Sequence, residues 1–485
     1  MLPSLLLTSA TELARKIRKR ELSSREAVEA HIAHIEKVNP VLNAVVRTRF
    51  EEARAEADRA DELVRTLPED ELPPFHGVPC TIKESFALTG MPNCAGLVAR
   101  KDTLAQSDAT AVARLRKAGA IPLGVTNISE LCMWMESNNR VYGRTNNPYD
   151  PSRIVGGSSG GEGAIIGSGG SPFGLGSDVG GSIRMPAFFN GVFGHKPTGG
   201  LVPNTGQWPE GGPGLARILT TGPLTRRAED LMPLLRVLAG PDGQDPGCIP
   251  FELGDPASVD ISELTVLDVR GNGFVETSRD LQEAQAMVAR HLARRGAKVI
   301  TTEIPGLEKS LDIWSSMMAA FDDGPSFSEL LAYGKPFNVF EQLALWALRR
   351  SPHTLPALGL ALAEKLVKSS PARMQRFIDE GLALKKEIVS RLGPKGIMLY
   401  PSYASPAPRH YEPLFPPTRW VYTAILNVLE LPVTQVPLGL NARGLPVGVQ
   451  VAAVHGNDHL TIAVAMELER TFGGWHPPAI ERLVA

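Results

Sequence analysis

The sequence predicts an α/β fold, and three observations support it. Short apolar runs at Ile121 to Val125, Leu264 to Val269, Ile397 to Tyr400 and Val447 to Val451 have the length and composition of buried strands. Stretches with helical spacing, Ala109 to Lys117 and Leu281 to Arg295, alternate with them, as happens when helices pack on a sheet. Gly119 and Gly296 stand where a helix must end and a strand begin, a position that favours a left-handed residue. At 485 residues the chain suits either one large elaborated domain or two, and no internal repeat divides it.

Residues 23 to 38, SSREAVEAHIAHIEKV, read as a helix. Ser23 and Glu26 form a capping box, Val28, Ile32 and Ile35 share a face, and Asn39-Pro40 is expected to stop it. His31 and His34 lie on that helix three residues apart. No carboxylate or cysteine pattern completes a metal site around them, so a solvated face is expected and no metal. Residues 66 to 75, polar and proline-bearing, and residues 401 to 417, with six prolines, read as irregular loops. Residues 336 to 367 are apolar, with Arg349 and Arg350 at the middle and Lys365 and Lys368 at the end. Two helices broken at Ser351-Pro352 fit this stretch. They suit a membrane surface, with Trp346 and the leucines at the acyl boundary, or ordinary packing on the core.

Composition narrows the class. Charged residues are 21% and hydrophobic ones 43%, the balance of a globular enzyme and not of a disordered chain. Lys and Arg number 50 against 52 Asp and Glu, so the basic excess of a nucleic-acid binder is missing. Cys80, Cys94, Cys132 and Cys248 have no CxxC spacing and are too few for a disulfide framework, which points to a reducing compartment. The opening MLPSLLLTSATEL has no basic residue before its short apolar run, and the chain contains no stretch of 18 apolar residues. A cytoplasmic chain with no signal peptide or transmembrane helix is expected.

The segment from 156 to 200 breaks the α/β rhythm. Sixteen of its 45 residues are glycine, against 47 in the whole chain, so its backbone is chosen for close approaches that side chains would block. It reads Gly156-Gly157-Ser158-Ser159-Gly160-Gly161-Glu162-Gly163 and then Gly176-Ser177-Asp178-Val179-Gly180-Gly181-Ser182-Ile183-Arg184. A phosphate cradle needs GxGxxG or GxxxxGK[ST], and neither occurs here. Gly156-x-Ser158-x-Gly160 fits a nucleophile elbow, which requires a downstream histidine such as His410, His455 or His459. A purely structural glycine loop is another reading. The remaining one uses Ser182: after two glycines, the N–H groups from Val179 to Ser182 can turn toward one point beside its hydroxyl. That is an oxyanion hole next to its nucleophile, the pair that acyl transfer needs. Asp178 and Arg184 flank the turn and are expected to pin it by hydrogen bonds.

GGSSGGEGA followed by GSDVGGSIRMPAFFNGVFGHKPT resembles the signature of the amidase signature enzymes. The resemblance spans nearly the whole chain. It includes His76-Gly77-Val78-Pro79 with Lys83 and Gly90, AGAIPLGVTN with Asn127, and later Asn427, Leu431-Pro432-Val433 and GLPVGVQ. Within the family, SELCMW, NNPYD and NDHLTIAVAMELE with TFGGW are most similar to vertebrate fatty-acid amide hydrolases of the second type. The resemblance implies a single domain over 1–485, with a central mixed β-sheet flanked by helices on both faces. It also implies a catalytic core at 75–240 and a helical insert at about 310–392 that caps an acyl site. Many members carry a lysine where Val125 stands, a change expected to matter only for packing.

By position, the resemblance implies Ser182 as the acylated nucleophile, Ser158 as a bridging serine on a cis peptide bond and Lys83 as the base. Ser159 belongs to the supporting shell with Asp178 and Arg184. Neutral lysine takes a proton from Ser158, which takes one from Ser182, and the chain returns a proton to the leaving amine. Free lysine is charged near neutral pH, so Lys83 needs burial to serve as a base, and Glu84 would oppose this if it faced the same way. Leu131, Met133 and Trp134, or Trp314, Met317 and Met318, are expected to line an acyl pocket or to be plain core. The expected activity is cleavage of amide bonds in fatty acid amides or N-acyl amines, with no cofactor. Aryl-acylamides, carbamates, small amides and the amidotransferase reaction on glutaminyl-tRNA are the enzymatic alternatives, and an inactive binding homologue is the other. The expected partners are a small-molecule amide, a second copy of the chain in a homodimer and a membrane surface met through 336–367.

Overall fold

The apolar runs become strands of one mixed sheet. In a computed structural model describing residues 2–321, 324–368 and 370–484, the strands are β1 (Val45–Thr48), β2 (Pro79–Lys83), β3 (Ile121–Thr126), β4 (Asn138–Asn139), β5 (Gly143–Arg144), β6 (Phe173–Asp178), β7 (Phe193–Lys196), β8 (Thr220–Thr225), β9 (Thr265–Asp268), β10 (Lys298–Thr301), β11 (Gly396–Tyr400), β12 (Val433–Leu440) and β13 (Pro446–Ala453). Strands β4 and β5 form a pair of their own, and the other eleven lie in the order β1-β3-β2-β6-β8-β7-β12-β13-β11-β9-β10. Strand β2 runs parallel to β3 and β6, and β9 runs parallel to β10 and β11. The other neighbours are antiparallel.

Strands β2, β3, β6 and β13 are buried along their whole length. That explains why they read as continuous apolar or small-residue runs and not as alternating ones: helices cover the sheet, leaving no solvated face. Helices Thr110–Lys117 and Arg279–Arg294 occupy the predicted stretches, and Gly119 and Gly296 come just after them with φ of 89° and 95°. Val125 is buried in the core. Between β10 and β11 five α-helices are found among the described residues, at Ser310–Phe321, Phe327–Ala332, Val339–Ala347, Leu355–Lys368 and Pro371–Leu392. The break at Ser351-Pro352 falls between the third and fourth of them.

Two expectations for the first half of the chain are corrected. The helix capped by Ser23 and Glu26 does not stop at Asn39-Pro40 but runs from Ser24 to Leu42. Proline costs the helix its own N–H bond and crowds the carbonyl four residues back, yet the last turn holds: the Asn39 side chain accepts the N–H groups of Ala44 and Val45 at 2.8 Å each, closing the helix on left-handed Asn43. His31 and His34 are not on a solvated face: both are buried. Their rings meet main-chain carbonyls, Nδ1 of His31 at Ala27 and Nε2 of His34 at Ser168, each at 2.8 Å. Burial pushes His31 down to about 3 and lowers His34 as well, so both are neutral core side chains.

Candidate active site

The parallel pairing of β2 with β6 sets the site. Ile82 lies opposite Leu175, so the two strands end side by side, at the carboxyl edge where open α/β sheets hold ligands. Lys83 is the last residue of β2 and Ser177 the last but one of β6. The Lys83 Nζ stands 2.9 Å from Ser177 Oγ and 2.7 Å from Ser158 Oγ, wholly buried. Ser158 arrives from the loop before helix Gly160–Gly167, where the Gly157–Ser158 peptide is cis. That helix lies so close to β3 that a Cβ on Gly161 would come within 2.7 Å of the Asn127 carbonyl oxygen. Here the glycine density has a direct use.

Burial lowers the pKa of Lys83, outweighing the opposing pull of the Cys132, Asp178 and Glu162 groups. Glu84 does not add to that pull. Its carboxylate turns away and accepts from the Cys94 and Ala95 N–H groups and the Tyr142 hydroxyl, at 2.8, 2.9 and 2.8 Å. Glu162 is also buried, accepting from the hydroxyls of Thr81 and Thr126 at 2.6 and 2.8 Å, and burial pushes it up to about 8.

Ser182 closes the turn after β6. Asp178 and Arg184 hold that turn as a fully buried pair 3.0 Å apart. The Asp178 carboxylate accepts the N–H of Gly181 at 2.6 Å and of Ile183 at 3.0 Å. Arg184 also donates to Gln450 Oε1 at 2.8 Å and to Asn427 Oδ1 at 2.5 Å. Burial alone would raise Asp178, but the guanidinium and the backbone donors hold it well below the usual carboxylate range. One consequence differs from the sequence-based expectation. The Gly181 N–H is already committed to Asp178, which leaves those of Val179, Gly180 and Ser182 without an acceptor among the described residues. Ser159 ties the two loops together, its N–H donating to the Ser182 carbonyl at 3.2 Å and its hydroxyl to the Ser177 carbonyl at 3.3 Å.

Ser158, Ser177 and Ser182 open onto an apolar cavity of about 220 Å³. Leu131 and Met133 line it, together with Trp314 and Met318, and Leu330, Leu360 and Val367 of the helices between β10 and β11 complete the lining. A side lobe of about 60 Å³ meets it at Ser182, walled by Trp134, Met135, Met185, Trp314 and Trp420. Met317 is not at the cavity: it is core, packed against Gly381. The histidines a nucleophile elbow would need lie elsewhere, His410 on Glu136 at 2.7 Å and His455 on the Gly199 carbonyl at 3.2 Å. His459 stands against Gly254. Ser177 escaped the sequence reading, because nothing in Gly176-Ser177-Asp178 says which strand will stand beside it.

A family model described as Amidase matches residues 26–462. The chain is 47% identical to human fatty-acid amide hydrolase 2 over 487 residues, covering 98% of this chain and 91% of that protein. It is 48% identical to fatty-acid amide hydrolase 2-A of Danio rerio, over 98% of this chain and 90% of that one. Among solved structures, 6-aminohexanoate cyclic dimer hydrolase in complex with substrate superimposes with a TM-score of 0.80 at 26% identity, covering 98% of this chain and 99% of that one.

Proposed function

The chain belongs to the amidase family, and we propose that it hydrolyses fatty acid amides or N-acyl amines through an acyl-enzyme formed on Ser182. The observation that supports this most is the buried Lys83 amine 2.7 Å from the Oγ of Ser158, which lines one cavity with Ser182. Lysine made neutral by burial takes the Ser158 proton, and Ser158 takes that of Ser182 as its oxygen attacks the amide carbon. The N–H groups of Val179, Gly180 and Ser182 meet the negative charge that develops on the carbonyl oxygen. As the tetrahedral species collapses the C–N bond breaks, and the proton held by Lys83 returns through Ser158 to the departing nitrogen. Water, deprotonated by the same relay, then cleaves the acyl ester and restores Ser182.

The apolar lining of the cavity supports a long acyl group, and the two fatty-acid amide hydrolases the chain resembles are named for such substrates. Among the described residues no helix is long and apolar enough to cross a membrane. Peripheral contact through 336–367 is supported by the outward face of helix Val339–Ala347, where Phe340 is 67% exposed and Leu348, just past its end, 66% exposed, with Arg349 and Arg350 next. The aromatic side lobe favours a second reading, an aryl-acylamide or carbamate substrate. Hydrolysis rates from acetamide to oleamide and N-oleoyl ethanolamine, with an anilide and a carbamate beside them, decide between the two. Rates rising with acyl length support the first reading, and preference for short aryl substrates the second. Ser182→Ala should abolish both turnover and fluorophosphonate labelling; labelling that persists elsewhere would displace Ser182 as nucleophile. Size measurement in solution tests the homodimer.

A further inference from the structure

The link between helices Val339–Ala347 and Leu355–Lys368 reaches the wall of the Ser182 cavity from behind. Glu130, buried, accepts the Thr354 N–H on Oε2 and the His353 Nδ1–H on Oε1, each at 2.8 Å. His353 is buried too. Its N–H meets Ser351 Oγ at 3.2 Å, its carbonyl accepts from Arg140 Nε at 3.4 Å, and its ring lies edge-on to Phe337. Neither Glu130 nor His353 lines the cavity, and the proposed chemistry uses neither.

The three residues after Glu130 give this contact its consequence. Leu131 lines the cavity and also packs in a small apolar core made by the helical segment, with Phe327, Leu331, Val339, Leu358 and Ala361. Leu131 and Cys132 both have left-handed backbone, φ 54° and 61°. Non-glycine residues keep that conformation only where their surroundings impose it. Cys132 and Met133 then face the cavity beside Ser182. One short segment is thus anchored on the helices by Glu130 and Leu131 and presents its next two side chains to the reacting serine.

We propose that Glu130 is a positioning residue for acyl-chain length. By holding the Ser351–Thr354 link it locks the helices to the strained Leu131–Met133 wall. The lining that Leu330 and Val367 supply from the helices then continues the near lining around Ser182 as one channel. A short acyl group meets only the near lining, whereas a long one must cross the junction. This inference rests on the acyl-enzyme reading of Ser182.

The test uses the full chain with Glu130→Gln, His353→Ala and His353→Asn, and butyl and dodecyl fluorophosphonates as probes of Ser182. The ratio of dodecyl to butyl labelling rates is measured beside kcat and KM for matching anilides, with thermal melts on every variant. Glu130→Gln and His353→Ala should lower the ratio about tenfold, the scale of one charge-assisted hydrogen bond, with the butyl rate within about twofold of wild type. The loss should appear in KM for the long anilide. His353→Asn should restore the ratio, its amide nitrogen standing in for Nδ1. If Glu130→Gln fails to fold, the two His353 variants carry the comparison. An unchanged ratio, or equal slowing of both probes, overturns the proposal and leaves a structural contact only. A wild-type ratio of one or less would instead refute the fatty-acyl reading, and the positioning role with it.

Discussion

Gly181→Ala tests the turn on which the proposed chemistry depends. Gly181 has φ 119°, and a Cβ there would lie 2.5 Å from Thr423 Cβ, closer still to Thr423 Oγ1, and 3.1 Å from Met185 Cε. Thr423 cannot retreat: it is buried on helix Val421–Val428 and its hydroxyl bonds the carbonyls of Gly180 and Trp420, both at 2.8 Å. The left-handed backbone costs an alanine about 1–2 kcal/mol, and overpacking adds about 1–3 kcal/mol. The substitution therefore places about 2–5 kcal/mol of strain on the turn between Asp178 and Ser182. The turn relieves it by moving, which withdraws an N–H from the oxyanion position, and loss of one such donor lowers kcat by about 10²–10³. The assay is kcat and KM on a primary fatty amide, normalised to the sites a fluorophosphonate labels, with a thermal melt alongside. A kcat within about threefold of wild type on a folded variant would refute the reasoning.

The remaining predictions concern the buried charges. Burial depresses Lys83, so below the free-lysine pKa of about 10.4 the unfolded chain binds more protons than the folded one, and stability rises with pH across that window. Wild type should therefore gain stability relative to Lys83→Met from pH 6 to pH 10 in denaturant titrations, and its kcat/KM should rise as the amine loses its proton; parallel stability curves would contradict this. Glu162 has the opposite sign. Raised to about 8, it makes the folded state the stronger proton binder, so stability falls as pH rises toward 8. Glu162→Gln on the Lys83→Met background should flatten that fall, and an unaltered slope would show that Glu162 is ionised throughout. Asp178→Asn leaves Arg184 charged and buried without its counter-ion and should cost about 3–5 kcal/mol by chemical denaturation; a cost under about 1 kcal/mol would mean the pair does not hold the turn.

Local signals in the chain marked out much of this architecture. The strands at Ile121–Thr126 and Gly396–Tyr400 and the helices at Thr110–Lys117 and Arg279–Arg294 stand where apolar run length and helical spacing predict them, because those patterns record which side chains must leave water. The capping box of Ser23 and Glu26 is local for the same reason. Where a residue's environment is supplied from far along the chain, local reading fails. His31 and His34 read as solvated because no ligand pattern in the sequence claims them, yet the main chain at Ser168 covers one of them. Pro40 looked like a stop for a nearer reason: the helix continues past it and closes only where the Asn39 side chain accepts the N–H groups of Ala44 and Val45.

The site divides along the same line. Glycine density and the spacing of Ser158 and Ser182 are properties of the sequence, and with the family resemblance they single out both serines and Lys83. The pairing of β2 with β6 that brings Ser177 to Lys83, 94 residues away, is not. Nor is the commitment of the Gly181 N–H to Asp178, which depends on how the turn closes. The contact between Glu130 and His353 spans 223 residues. The sequence by itself determined which groups are available and which segments fold as strands or helices. Only the tertiary structure decided which groups meet, which are stripped of water and hence which way Lys83 and Glu162 titrate. The energies of burial and of hydrogen bonding depend on neighbours in space, and those are chosen by the packing of the whole chain.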